Sequence, residues 1–257
     1  MARVGVIGLG SIGRAVVEYA LSSGDHQLAF ARNRSHPNWA AAAGVAVRLG
    51  PPTDEELRET DLVVEAAHPQ VVVDEGERIL RHGDLLVVSA GALADEALLA
   101  TLIDTAEQHG TNLIVPQGAL VGVQAMLAQS ARWTRAQITM TKAPESLDPV
   151  PTDIDGVTVL YEGAVGPLIR RYPRNVNAMV AFALATRGFE ETVAKLVCDP
   201  SGGLGHLDIE LEAGDGAFLS IRKAQPMTGV SGSEMTTSIL QSVAAVTGDS
   251  APGLRFV

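Results

Sequence analysis

Cysteine is almost missing from this chain of 257 residues: there is one, Cys198. A lone thiol forms no intrachain disulfide, so a disulfide-held scaffold is excluded and a reducing compartment is expected. Cys198 follows Lys195-Leu-Val in a strand-like stretch and reads as a small buried hydrophobe. Basic residues are also scarce. Lys plus Arg number 19 against 30 Asp plus Glu, and a net charge of −11 repels phosphate backbones and anionic headgroups. Nucleic acid and membrane surfaces are therefore poor partners. Long apolar runs are lacking too. The stretch Val4 to Ile12 is too short and too Gly-rich for a signal or a membrane span, so a cytoplasmic protein is expected. There is no internal repeat and no low-complexity segment.

What is present suits burial. Hydrophobic residues make up 46% and charged residues 19%, which argues against disorder, and the length suits two modest domains. Up to residue 115, short β-branched runs alternate with helical stretches, the pattern of βα units on a parallel sheet. Strands are expected at Arg3–Gly8, Gln27–Ala31, Val45–Leu49, Leu62–Ala66, Leu85–Ser89 and Asn112–Val115. Helices are expected at Ile12–Ser23, Pro37–Ala43, Pro69–Arg81 and Ala94–His109, and Thr53 with Glu56 has capping-box spacing. After Pro116 the rhythm changes. A helix is expected over Gln117–Ala131 and another over Val176–Arg187, with strands at Ala136–Lys142, Val157–Glu162, Thr192–Cys198, Leu207–Leu211 and Ala217–Arg222. The last two flank Ala213-Gly-Asp-Gly216, a hairpin signal. The fold class is thus α/β: an N-terminal Rossmann doubly wound parallel sheet, residues 1–115, and a second α+β domain with a mixed sheet, residues 116–231. A closing helix within 232–257 is expected to pack back on the first domain.

Gly8-Leu-Gly10-Ser11-Ile12-Gly13 follows a strand and opens a helix, the context that makes this spacing a dinucleotide site. Gly8 serves the tight turn, Gly10 lets amides approach a pyrophosphate, and Gly13 permits close helix–strand packing. The second strand ends Ala31-Arg32-Asn33-Arg34-Ser35, with no carboxylate for a ribose 2′-hydroxyl. Two guanidiniums suit a 2′-phosphate, which favours NADP over NAD, or dual use; the bland alternative is a solvated loop. Ser89-Ala-Gly91-Ala-Leu93 and Pro116-Gln-Gly-Ala119 are small-residue loops at strand carboxyl ends, and His68 sits on the same rim. Arg170, Arg171 and Arg174, with Asn175 and Asn177 beside them, form the basic cluster that a dicarboxylate needs, unless they are surface arginines and a helix cap. Lys142 ends a strand and is a further anion-binding candidate. His206 follows a Gly-rich loop and has a side chain suited to proton transfer near neutral pH. No metal site is expected.

Taken in order, Val4–Gly13, Val64-Glu-Ala-Ala67, Ser89–Leu93, Pro116–Ala119, Thr141-Lys-Ala-Pro144, Tyr172-Pro-Arg-Asn-Val-Asn177, Asp199-Pro200 and His206 give a chain that resembles the L-aspartate dehydrogenase family over nearly its whole length. The resemblance implies NAD(P)-dependent oxidation of L-aspartate to iminosuccinate, which hydrolyses to oxaloacetate and ammonia, or the reverse. It also implies a catalytic His206, cofactor contacts at Ala119 and Asn177, an amino dicarboxylate partner, and a homodimer or higher homo-oligomer. Two stretches depart from the family pattern. Leu204-Gly-His206 lacks the usual Asn two residues before the histidine, and Gln225–Met235 differs from the shorter family segment. Those departures keep open a reductase of another small imine or oxo acid, or a noncatalytic dinucleotide-binding protein.

Overall fold

The structure, a computed structural model, describes residues 1–248 except 153, 174, 229, 230 and 233. It divides into two compact units: Met1–Ala92, Ala97–Pro116 and residues from 236 on form the first, and Leu93–Glu96 with Gln117–Met235 the second.

In the first unit, β1 (Ala2–Ile7), β2 (His26–Arg32), β3 (Val47–Arg48), β4 (Leu62–Glu65), β5 (Asp84–Val87) and β6 (Leu113–Ile114) form one sheet in the order β3-β2-β1-β4-β5-β6. Every pairing is parallel, which is the doubly wound dinucleotide-binding order. Central strands of such a sheet are covered on both faces, and β4 is buried at all four positions, which is why Leu62, Val63 and Val64 are apolar without alternation, with Glu65 the exception at its end. The crossovers carry α1 (Ser11–Ser22), α2 (Asn38–Ala42), α3 (Asp54–Arg58), α4 (Pro69–Leu80) and α5 (Glu96–His109). In α1 the buried residues Gly13, Val16, Val17 and Ala20 recur at helical spacing and make one apolar stripe. The capping box at α3 is formed: the Thr53 hydroxyl accepts from the Glu56 amide at 3.3 Å, and the Thr53 amide donates to Glu56 Oε2 at 2.6 Å. The edge strands β3 and β6 are two residues each, shorter than their sequences suggest, because an edge strand has a partner on one side only.

The second unit holds α6 (Val123–Ala128), β7 (Trp133–Lys142), β8 (Thr158–Ala164), α7 (Val165–Arg171), α8 (Asn177–Ala185), α9 (Gly188–Glu191), β9 (Thr192–Cys198), β10 (Leu204–Ala213), β11 (Phe218–Thr228) and β12 (Ser231–Gly232). Its sheet runs β12-β11-β10-β7-β9-β8, with β7 parallel to β9 and the other pairs antiparallel. The β10–β11 hairpin turns at the expected place, with Gly216 at φ 87° and the Ala213 amide donating to the Ala217 carbonyl at 2.8 Å. Helix α8 packs on β7 and is apolar on every side, with Met179, Val180, Phe182 and Ala185 all buried.

Two expectations need correcting. The helix expected over Gln117–Ala131 is confined to α6, because Gly118 and Gly122 take positive φ in front of it. Helix α7 was hidden by Gly166-Pro167, which reads as a breaker; in a first turn proline is tolerated, since its missing N–H would have had no partner there. Last in the chain, α10 (Met235–Thr247) buries Ile239 and Val243, and Thr247 Oγ1 lies 3.3 Å from His26 Nε2. Among the described residues no helix is long and apolar enough to cross a membrane.

Candidate active site

In the first unit, the turn from β1 into α1 is shaped by steric necessity. Gly8 sits at φ 93°, and a Cβ there would meet the Ala66 carbonyl oxygen at 2.5 Å. A Cβ on Gly13 would overlap the Gly8 carbonyl oxygen, so the helix lies against the turn as only glycine allows. Gly10 is the N-cap of α1 and faces open space, and no side chain caps the helix. The first-turn amides at Ser11, Ile12 and Gly13 therefore meet no capping side chain at the positive end of a twelve-residue helix. This cradle fits the pyrophosphate of a dinucleotide.

The turn after β2 splits the two guanidiniums that the sequence presents together. Arg32 is ion-paired with Glu75 of α4, both side chains being mostly buried. Asn33 ties the turn to the cradle: its Oδ1 accepts from the Leu9 amide at 3.3 Å, and its Nδ2 donates to the Ser35 carbonyl at 3.0 Å. Arg34 is exposed. The Arg32–Glu75 ion pair fixes α4 against β2. His68 likewise has a structural position, as the N-cap of α4, its Nδ1 accepting from the Gln70 amide at 3.1 Å.

Glu65, at the end of β4, is fully buried and was not singled out as a site residue. Its Oε1 accepts from the amides of Ala67 and His68 at 2.8 and 2.9 Å and from the Ser89 hydroxyl at 3.0 Å, while Oε2 accepts from the Ser89 amide at 3.0 Å. One carboxylate thus joins the loops after β4 and β5. Burial pushes its carboxyl above the ordinary value, against these donors.

The second unit contains a pocket with a free interior of about 70 Å³, open to solvent at its mouth. It lies on the covered face of the sheet. Strand register brings Met140 and Lys142 of β7, Gly205 and Leu207 of β10, and Lys223 and Gln225 of β11 to this face by alternation. Lys142 is 6% exposed, and burial holds its ammonium down to about 8. Lys223 donates to the Ala119 carbonyl at 2.9 Å and is ion-paired with Glu234; burial lowers its value as well. Ala119 and Asn177 also line the pocket, Asn177 as the first residue of α8.

His206 lines the same pocket, but on a strand rather than a loop: it is the third residue of β10, between Thr141 and Ala224. The alternation that turns Gly205 and Leu207 to the covered face sets His206 on the other face of β10, where it is exposed while they are buried. Asp199 stands within its electrostatic reach. That carboxylate is held below the ordinary range first by the Ser201 hydroxyl at 2.7 Å, then by the Ser201 amide at 2.9 Å, and further by His206.

The arginine cluster is dispersed. Arg170 and Arg171 end α7 and are not among the residues lining the pocket. Arg171 is exposed over the Tyr172 ring at 5.4 Å and donates to the Leu160 carbonyl at 3.3 Å. Arg174 lies outside the described residues. Asn175 does line the pocket, but its amide is occupied: Oδ1 accepts from the Asp148 amide and Nδ2 donates to the Ser146 carbonyl, each at 2.8 Å. Lys223, which no sequence signal marked, and Gln225, which opens the stretch that departs from the family pattern, reach the pocket instead.

A doubly wound sheet with an uncapped glycine cradle, on one chain with a cation-lined pocket, defines a dinucleotide-dependent oxidoreductase. Residues 8–116 match the NAD-binding domain of the homoserine dehydrogenase type, and residues 123–245 match the C-terminal domain of aspartate dehydrogenase. An aspartate dehydrogenase domain-containing protein of Xenopus tropicalis is 37% identical over 227 residues, covering 82% of this chain and 80% of the relative. The L-aspartate dehydrogenase of Methanosarcina mazei is 31% identical over 235 residues, covering 85% of this chain and 86% of that one. Crystalline aspartate dehydrogenase from Thermotoga maritima shares the fold at a TM-score of 0.78 and 20% identity, with 100% of both chains covered. The chain belongs to the L-aspartate dehydrogenase family, and it is an NAD(P)-dependent amino-acid dehydrogenase.

Proposed function

We propose that the protein catalyses the reversible oxidative deamination of L-aspartate. The observation that carries this is the pocket of the second unit, lined by the buried ammonium of Lys142 and the half-buried ammonium of Lys223, which is paired with Glu234. Lys142 and Lys223 meet the two carboxylates of an amino dicarboxylate, in a site where burial strengthens each charge contact. Bound NAD(P)⁺ supplies the hydride acceptor, its nicotinamide C4. The first-turn amides of α1 would hold the pyrophosphate, and Ala119 and Asn177 are read as further cofactor contacts. As the Cα–H bond breaks and its electron pair leaves, His206 takes the proton lost from the substrate nitrogen, so the C=N bond of iminosuccinate forms. Once it has given that proton up to solvent, His206 draws a proton from attacking water in the hydrolysis that follows and returns it to the departing ammonia, leaving oxaloacetate.

Arg34, exposed and without a neighbouring carboxylate in its turn, favours NADP over NAD. The protein is read as cytoplasmic and as a homodimer or higher homo-oligomer.

Initial rates with L-aspartate, and with oxaloacetate plus ammonia, each with both coenzymes, test the proposal. Turnover of both pairs, faster with the phosphorylated coenzyme, is expected; no turnover of either pair removes the substrate assignment. In His206→Asn, coenzyme affinity should persist while kcat falls about 10²–10⁴-fold. A kcat within about threefold of the parent removes the histidine from the chemistry.

A further inference from the structure

Glu65, the last residue of β4, stands where the strand order of the first sheet reverses. From β1 the order runs through β2 to β3 on one side and through β4 and β5 to β6 on the other, so the reversal falls between β1 and β4, whose ends meet at the pair Ile7 and Glu65. A sheet of this kind takes its ligand in the crevice at that reversal, outside the carboxyl ends of the strands. A dinucleotide lies across it, with the pyrophosphate on the cradle after β1 and the adenosine ribose toward the end of β2, which leaves the ends of β4 and β5 to the nicotinamide half.

One side chain joins the loops on that side. Glu65 is 0% exposed; its carboxylate accepts from the amides of Ala67 and His68 after β4, and from the amide and hydroxyl of Ser89 after β5. All four donors are uncharged. Burying a carboxylate without a cation is costlier than burying the apolar side chains that stand before it at Leu62, Val63 and Val64, so packing β4 into the sheet gives no reason for an acid here. Joining two loops does: both carboxylate oxygens accept, and together they take donors from segments 24 residues apart. The β4 loop also lies against the cradle, since a Cβ on Gly8 would meet the Ala66 carbonyl oxygen at 2.5 Å and the Ala67 methyl at 2.7 Å. From the cradle read as a dinucleotide site, and independently of the substrate, we propose that Glu65 is a positioning residue for the nicotinamide half of the coenzyme: its carboxylate sets the spacing of the loops after β4 and β5 that this half requires, and the adenosine half binds without it.

The test compares the parent enzyme with Glu65→Gln, which keeps the shape and turns one oxygen into an NH₂ that faces donors. Ser89→Ala is the milder companion: it removes the hydroxyl donor, leaves the three amide bonds in place, and carries the comparison if Glu65→Gln does not yield folded protein. Two kinds of ligand are used: ADP, which has the adenosine half and both phosphates, and the reduced coenzymes NADH and NADPH, which add the nicotinamide half. Calorimetric titration gives the dissociation constant of ADP and fluorescence titration those of the coenzymes, each at a temperature where circular dichroism shows the variant fully folded. Glu65→Gln should weaken both coenzymes roughly tenfold or more, and Ser89→Ala roughly threefold or more, while ADP moves by less than about twofold in either. Equal weakening of ADP and the coenzymes would mean that the carboxylate supports the whole unit, and no change in any of them would mean that its loops do not bear on the coenzyme; each result overturns the proposal. A parent enzyme that binds neither ADP nor reduced coenzyme refutes instead the dinucleotide site on which the proposal stands.

Discussion

Replacing Lys142 by Met should strengthen the fold and weaken the substrate site at once. The side chain is 6% exposed, and burial alone brings its ammonium from 10.5 to about 8. At 1.36 kcal/mol per tenfold in proton affinity, that difference is roughly 3 kcal/mol of destabilisation, an upper value, since the ammonium's contacts are lost with it. Because the folded-state value lies below that of the unfolded chain, the penalty is fully present below about pH 8 and fades as pH rises from about 8 toward 10.5. Methionine has no charge to bury and nearly the same length. Lys142→Met should therefore raise Tm at pH 7 by several degrees, and the gain should shrink as the pH of the melt approaches 10.5. Function should move the other way. A charge-assisted hydrogen bond contributes about 1.5–3 kcal/mol, so KM for L-aspartate should rise roughly tenfold to a hundredfold. In the parent enzyme kcat/KM should fall above pH about 8 as the ammonium is lost, and this limb should be missing from the variant. Differential scanning calorimetry across pH and a kcat/KM profile measure both. An unchanged KM in the variant, or a Tm at pH 7 below that of the parent, would refute the reasoning.

Gly13→Ala drives a methyl group into the Gly8 carbonyl and should abolish NAD(P)H binding, read by fluorescence titration, while lowering Tm. Glu65→Gln turns an NH₂ toward amides that now donate to a carboxylate, and should cost about 1–3 kcal/mol in urea unfolding. Arg34→Ser should raise KM for NADP⁺ at least roughly tenfold and spare NAD⁺, whereas Arg32→Ala, which leaves the mostly buried Glu75 with Arg78 at 3.5 Å, should lower stability by about 1–3 kcal/mol with no such selectivity.

Local chemistry made much of both units legible. The three glycines, the Thr53–Glu56 capping box, the Asp215-Gly216 turn and the β-branched runs each act within a few residues, so their consequences are written where they stand. The α7 helix escaped because Gly166 and Pro167 are breakers everywhere except in a first turn, and a sequence does not show which turn it is.

The chain's own composition thus determined a parallel dinucleotide-binding sheet, its cradle, and a second mixed-sheet unit carrying a candidate histidine and lysine. The pocket's membership was decided by the tertiary structure. Lys142, Gly205 and Gln225 become neighbours only because β7, β10 and β11 pair in one register, and Arg32 is drawn away by Glu75, 43 positions further on. Arg170 and Arg171 are close in sequence to Asn175 and Asn177, yet the end of α7 and the start of α8 set them apart, two at the pocket and two away from it. Charge clustered along a chain reveals only local density; which cation meets a ligand depends on strand order and on burial, and these arise from pairings between distant segments.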